Sequence, residues 1–346
     1  MPLTRRSLIV RGFALALRRQ KVDEAVKLIQ SKVDSRDVHA ASLHVRCGKD
    51  VFQQGFGAAK EPRSVFLLAS ISKPMTASAV MLLSDRGKLS IDDPVQKFIP
   101  EFKGGEKDRI LIRHLLTHTS GLPDMLPDND ELRKRHAPLK DFVAATCKTP
   151  LLFSPGTKVK YQSMGILLAG EIVQRVSDRG LPDFLRDEIY RPFGMRDTSM
   201  DLGGRAIAGT RQGQVGEHTD YDWNSAYWRN LGSPWGGAHS TAADVARFLE
   251  YFVRPTPPVL KPPTAASMIT DHTGGLTPPW GLGWMLARGF GKQSSAKTYG
   301  HSGSTGTLCW LDPEKDLSFV LLTTKPAASS GTTLLTPAAD LISEAA

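Results

Sequence analysis

The sequence predicts an α+β protein in which one sheet is assembled from both ends of the chain and a mainly helical domain is inserted between them. Two observations carry this. Short runs with strand-like alternation fall near residues 41–56 and again within 281–323, whereas the span from about 101 to 279 is dominated by apolar residues at helical spacing. No period of 20 to 50 residues repeats, which excludes a solenoid or propeller. The resulting division is a basic lead at 1–21, a sheet domain from 22–100 plus 280–346, and a helical domain at 101–279.

In chain order, Val22, Ala25, Val26, Ile29 and Val33 are spaced as one buried helical stripe. Ala41 to Val45 and Asp50 to Phe56 read as a hairpin around Gly48-Lys49. Pro74 to Arg86 reads as a helix stopped at Gly87, followed by a turn at Asp92-Asp93-Pro94. Further helical segments are expected at Ile110 to Leu116, Gly165 to Val176, Leu181 to Ile189 and Ala242 to Phe252. The proline-dense run from Arg254 through Pro262-Pro263 is expected to be irregular, because proline fixes φ and lacks a donor. Gly281 to Ala287, Gly306 to Leu311 and Leu317 to Thr323 read as strands, and Pro337 to Ala345 as a closing helix.

With 346 residues, 40% hydrophobic and 23% charged, the chain has the balance of a globular protein and length for two domains. No run approaches the roughly 18 apolar residues of a spanning helix. The net charge of +9 is concentrated at the tip. Arg5, Arg6, Arg11, Arg18, Arg19 and Lys21 occur there with no acid, so the other 325 residues carry only +3. That distribution fits a targeting lead or an arm and, without an aromatic-basic motif, argues against a nucleic-acid partner. Thr4-Arg5-Arg6-Ser7-Leu8-Ile9 resembles the start of a twin-arginine export signal, but Arg11 interrupts the apolar run, and an attached N-terminal arm is the preferred reading. Cys47, Cys147 and Cys309 form no close pair, which suits a reducing, cytoplasmic compartment and indicates neither a disulfide framework nor a metal site.

The strongest chemical signal is Ser70-Ile71-Ser72-Lys73-Pro74. A spacing of three places Ser70 and Lys73 on one face at a helix start, where the dipole and free N–H groups favour a serine nucleophile and the oxyanion it creates. A desolvated Lys73 gives up its proton more readily and can accept that of Ser70. Pro74 is compatible because the first helical turn has no internal donor to lose. Alone, the same spacing equally describes a capping serine followed by a surface lysine.

Five further motifs follow in order: Ile112-Arg-His-Leu-Leu-Thr-His-Thr-Ser-Gly-Leu-Pro123, Ser154-Pro-Gly156 leading to Tyr161, Arg191-Pro-Phe-Gly-Met-Arg-Asp-Thr198, Gly236-Gly237 before Thr241-Ala-Ala-Asp244, and Gly300-His-Ser-Gly-Ser304. With these, the chain from about residue 40 to 325 resembles the serine β-lactamase and penicillin-binding-protein superfamily, in its class C and family VIII carboxylesterase branch. The resemblance implies a β-lactamase/transpeptidase-like fold, an antiparallel sheet flanked by helices, and an acyl-enzyme on Ser70. It also implies acid–base work shared by Lys73 and Tyr161, oxyanion N–H groups from Ser70 and Ser304, and a cleft edged by His301, Ser302 and Gly303. Lys73 is then the cation able to hold a phenolate at Tyr161, and the two are expected to titrate as a coupled pair. No cofactor and no metal are implied.

Two departures bear on the substrate. Where the branch carries Tyr-x-Asn, this chain has Tyr161-Gln162-Ser163, so at the substrate-binding position Ser163 a hydroxyl replaces an amide that both donates and accepts. Where β-lactamases carry Lys-Thr-Gly, this chain has His301-Ser302-Gly303, and an ordinary histidine is mostly neutral at pH 7. Both changes weaken the grip on an amide and on a carboxylate. The expected activity is therefore a carboxylesterase on small or medium acyl esters. β-Lactamase or D-Ala-D-Ala carboxypeptidase activity is the alternative, and a non-catalytic penicillin- or peptide-binding sensor is the alternative of another class. The expected partner is a small-molecule ester, lactam or peptide. His114 and His118 stand four apart as zinc ligands would, but without the glutamate of a zinc-protease motif they read as structural residues ending a helix. Trp235, Trp280 and Trp284 flank glycines and fit either an acyl pocket or the core.

Overall fold

The computed structural model describes residues 17–346 apart from 61–62, 203–212, 215, 217, 258 and 288–289. The twin-arginine-like stretch lies in residues 1–16, outside the described residues. Helix α1 (Arg19–Asp34) begins inside the basic stretch rather than at Val22. Its first turn is tied to the other end of the chain, where Lys21 pairs with Glu344 at 2.8 Å and the Arg18 N–H donates to the Ala345 carbonyl at 2.8 Å.

Strands β1 (Ala40–Cys47) and β2 (Asp50–Gly57) form the expected hairpin, and β3 (Phe66–Leu67) leads into α2 (Ser72–Asp85). The middle of the chain is helical: α3 (Ile112–Leu116), α4 (Asn129–Lys134), α5 (Leu139–Lys148), α6 (Met164–Ser177), α7 (Leu181–Leu185) and α8 (Ala226–Asn230). Strand β4 (His239–Ser240) pairs with β3 and is followed by α9 (Ala242–Tyr251) and α10 (Pro262–Met268). Then come β5 (Met285–Leu286), β6 (Tyr299–Gly303), β7 (Thr307–Asp312), β8 (Leu317–Thr323), α11 (Ala327–Ser330) and α12 (Thr336–Ser343).

The main sheet runs β2-β1-β8-β7-β6-β5 with every neighbouring pair antiparallel, so β1 lies against β8 with Leu43 opposite Leu321. The two chain ends thus share one sheet, as the distribution of strand-like runs predicts. Alternation sorts the strand residues onto two faces. Leu43, Val45, Trp310, Phe319 and Leu321 pack beneath α1 and α12, whereas Cys309, Leu311, Val320 and Leu322 join the larger core with α2, α6 and α9. Covering on both faces explains why these strands read as nearly continuous apolar runs. On the second face Arg46 of β1 donates to Glu250 of α9 at 2.6 Å and to Asp316 at 2.8 Å. All three cysteines are buried and free.

Two sequence expectations need correction. The strand read over Gly281 to Ala287 is reduced to Met285–Leu286, because Gly283 turns at φ 89° against α2, where a Cβ would stand 2.7 Å from that of Ala77. Pro262 and Pro263 are not irregular but open α10, where the first turn lacks internal donors anyway. No helix among the described residues is long and apolar enough to cross a membrane.

The clasp of α1 and α12 over the sheet makes a quantitative expectation. Ile342 is fully buried there, so Ile342→Ala should lower the unfolding free energy by about 2–5 kcal/mol, read as a reduced urea midpoint at unchanged slope.

Candidate active site

Ser70 sits in a single 3₁₀ turn, Ala69–Ile71, that runs directly into α2. The turn is held on several sides. The Leu68 N–H donates to the Ala238 carbonyl at 2.8 Å, and the Ser72 hydroxyl donates to the Ala69 carbonyl at 2.6 Å while accepting from the Ala238 N–H at 2.9 Å. From the loop after β6 and from β7, the hydroxyls of Thr305 and Thr307 donate to the carbonyls of Leu67 and Leu68 at 2.7 and 2.9 Å. These bonds hold Ala69 at φ 48°, a region that a residue with a Cβ seldom enters. β6 lies so close that a Cβ on Gly303 would stand 2.2 Å from the Leu68 carbonyl, so glycine is required there.

Lys73, one helical turn on, is fully buried. Its Nζ donates to Ser70 Oγ at 2.9 Å and to the Trp235 carbonyl at 3.1 Å, and lies 4.7 Å from the Tyr161 ring centroid. Burial pushes its pKa down from 10.5 to about 7, against the opposing pull of the Asp124 charge. The Tyr161 hydroxyl shares a hydrogen bond with Ser70, which only partly offsets the rise in its pKa caused by burial. The phenol therefore keeps its proton near pH 7, and an amine that is only partly protonated there stands beside a neutral phenol in place of the ammonium–phenolate pair that the sequence allowed.

Tyr161 is placed by His118. That histidine turns at φ 60° just beyond α3; its carbonyl accepts the Lys160 N–H at 2.9 Å and its Nδ1 accepts the Gln162 N–H at 3.2 Å. Its ring lies 4.7 Å from that of Tyr161 and edge-on to Trp280 at 4.4 Å. Gln162 points the other way, accepting from the Ser120 hydroxyl at 2.5 Å and donating to the His114 carbonyl at 3.0 Å. His118 is thus a positioning residue that sequence reading assigned only to the end of a helix. His114 Nδ1 accepts the Leu111 N–H at the start of α3.

Ser163 does not offer its proton to the cleft. Its hydroxyl donates to Asp124 Oδ1 at 2.6 Å. Asp124 has no signal in the sequence beyond a loop acid after Gly-Leu-Pro, yet its charge bears on both Lys73 and Tyr161. His301 joins the cluster, 6.1 Å from Tyr161 between ring centroids. Its Nδ1 lies 2.7 Å from the Ser302 carbonyl, which can only accept, so the proton is assigned to Nδ1. Burial, assisted by Lys73, lowers the His301 pKa to about 3, so the ring is neutral. Because β5 pairs only with Tyr299 and Gly300, residues 301–303 leave the side of β6 away from β7 open, with Ser302 and Ser304 exposed. Of the three tryptophans, Trp280 walls the site; Trp235 contributes its carbonyl, and Trp284 is core, packed on Phe248, Phe252 and Tyr299.

A family model described as Beta-lactamase matches residues 25–342. A Salmonella agona protein with the provisional name D-alanyl-D-alanine carboxypeptidase is 25% identical over 89% of this chain and 83% of its own length. Esterase EstB of Burkholderia gladioli is 31% identical over 49% of this chain and 48% of its own, about half of either protein. The structure of EstCE1, described as a hydrolase with promiscuous acyltransferase activity, matches with a TM-score of 0.74 over 92% of this chain and 98% of its own at 21% identity, a likeness of fold.

The contact between β6 and the serine turn can be tested at one atom. Gly303→Ala should displace Leu68 and the turn behind it, costing about 1–3 kcal/mol of stability by overpacking and lowering kcat by more than tenfold, since a misplacement of about 1 Å can cost 100-fold. Thermal unfolding and steady-state kinetics on one preparation separate the two effects.

Proposed function

Because the chain belongs to the Beta-lactamase family of serine hydrolases, we propose that it is a carboxylesterase of small or medium acyl esters acting through an acyl-enzyme on Ser70. Lys73, largely neutral above pH 7, takes the Ser70 proton as Oγ bonds to the carbonyl carbon. The electron pair moves to the carbonyl oxygen, which meets the N–H groups of Ser70 and Ser304 at the positive end of α2. When this oxyanion collapses, the bond to the alkoxide breaks and the protonated Tyr161 hydroxyl supplies the alkoxide's proton, which the Lys73 ammonium then replaces. The same amine deprotonates the water that attacks the acyl-enzyme, releasing the acid and restoring Ser70.

The observation that carries the preference for esters is that the Ser163 proton is spent on Asp124 while His301 is held neutral. The cleft thus presents neither an amide-like donor at position 163 nor a fixed cation at position 301. A β-lactam or a peptide C-terminus asks for both, whereas an ester has the more electrophilic carbonyl and a leaving alkoxide that needs little assistance. The name of the Salmonella relative favours a second reading, peptidase or β-lactamase activity at the same serine.

A fluorophosphonate probe should label the wild-type protein and not Ser70→Ala; absence of labelling would leave only a binding role. Short p-nitrophenyl esters should then exceed a chromogenic cephalosporin and a D-Ala-D-Ala peptide in kcat/KM, and the reverse order would establish the second reading. Because the base works deprotonated, kcat/KM for the esters should rise with pH through an apparent pKa near 7. Lys73→Met should abolish that rise and lower kcat by about 1,000-fold or more.

A further inference from the structure

We infer that Asp124 selects the substrate, and that the preferred substrate carries an ammonium group beside its scissile ester. The inference deepens the esterase reading and rests on it. Asp124 is exposed at the end of the Ser120-Gly121-Leu122-Pro123 loop and is anchored twice by the residue two beyond Tyr161: the Ser163 N–H donates to the Asp124 carbonyl at 3.3 Å and the Ser163 hydroxyl to Oδ1 at 2.6 Å. Such anchoring gives a surface carboxylate a fixed position, which a loop acid without partners lacks.

The charge has no direct ion-pair partner where it stands. No lysine, arginine or histidine pairs with Asp124 among the described residues. Its anchor Ser163 stands two residues from Tyr161, which puts the carboxylate beside the acylation centre, and its field acts on both Lys73 and Tyr161. The remaining titratable groups packed about that centre, His118 and His301, are held neutral by burial. Lys73 is the cation that the Asp124 field reaches, and that amine is neutral whenever it stands ready as the base, which leaves the carboxylate unbalanced when the substrate arrives. An ammonium on the substrate cancels it, gaining a charge-assisted hydrogen bond to the carboxylate, whereas a substrate carboxylate at that point is repelled. The Ser163 side of the cleft is thus built to welcome a cation.

The test compares p-nitrophenyl alaninate, in both enantiomers, with its isostere p-nitrophenyl isobutyrate at pH 6.5, below the α-amino pKa of about 7.7. The ratio of kcat/KM for the better alaninate to that for the isobutyrate cancels any effect Asp124 exerts through Lys73. It should fall about tenfold or more in Asp124→Asn and recover at least in part in Asp124→Glu. Both substrates changing together, with the ratio unmoved, would overturn the inference and leave Asp124 acting on Lys73 alone. Calorimetry on Ser70→Ala supplies a readout free of turnover: alaninamide should bind more tightly than isobutyramide, and Asp124→Asn in that background should erase the difference. Equal affinities with Asp124 present overturn the inference. Failure of wild-type protein to turn over either ester overturns the esterase reading, a separate result.

Discussion

The site depends on keeping the Lys73 side chain out of water. A lysine amine in solvent is protonated at neutral pH and useless as a base. Here the chain walls it in with Tyr161, the Trp235 carbonyl and the first turn of α2, and burial lowers its pKa to about 7. The protein accepts an unfavourable environment for a charge and obtains, in return, an amine that readily gives up its proton 2.9 Å from the serine oxygen. The positive φ at Ala69, the glycine at 303 and the threonine bonds from 305 and 307 all hold the serine turn where that amine can reach it.

Around this buried amine the formal charges are arranged unlike those of a site for anionic substrates. His301 occupies the strand position where a lysine would offer a permanent positive charge, and it is buried and neutral. The nearby charge is negative, on Asp124, steadied by the small hydroxyl of Ser163. The two departures from the family motifs therefore act together. The serine leaves an anion in place, and the histidine provides no cation to balance it.

Much of this architecture was legible in the order of residues. The sheet strands and α2 declare themselves through local periodicity, and Ser70 and Lys73 through a spacing that a helix start makes physical. Tyr161 was legible only through likeness to a family, since nothing in Lys160-Tyr161-Gln162 announces that a distant histidine at positive φ clamps its backbone. Asp124 was invisible for a related reason: an acid after Gly-Leu-Pro looks like any loop acid until Ser163 is seen to bind it. Gly281 to Trp284 misled because the approach of Gly283 to Ala77, a tertiary contact, forbids the extended conformation that the residue types favour. What sequence pattern conveys is local preference; what it omits is which distant backbone arrives alongside.

The pairing of β1 with β8 has a consequence for how the molecule comes into being. Residues 41–47 leave the ribosome early but find their neighbours only when residues 317–323 have been translated. Until then the first hairpin carries an unsatisfied edge and an uncovered apolar face, the kind of nascent surface that chaperones shield. Closing so long a loop is entropically slow, so folding should lag behind translation. The bed of the Ser70 turn is likewise furnished by Gly303, Thr305 and Thr307, so a stalled or truncated product lacks the contacts that set Ser70 beside Lys73. The geometry around Ser70 is withheld until the polypeptide is nearly whole.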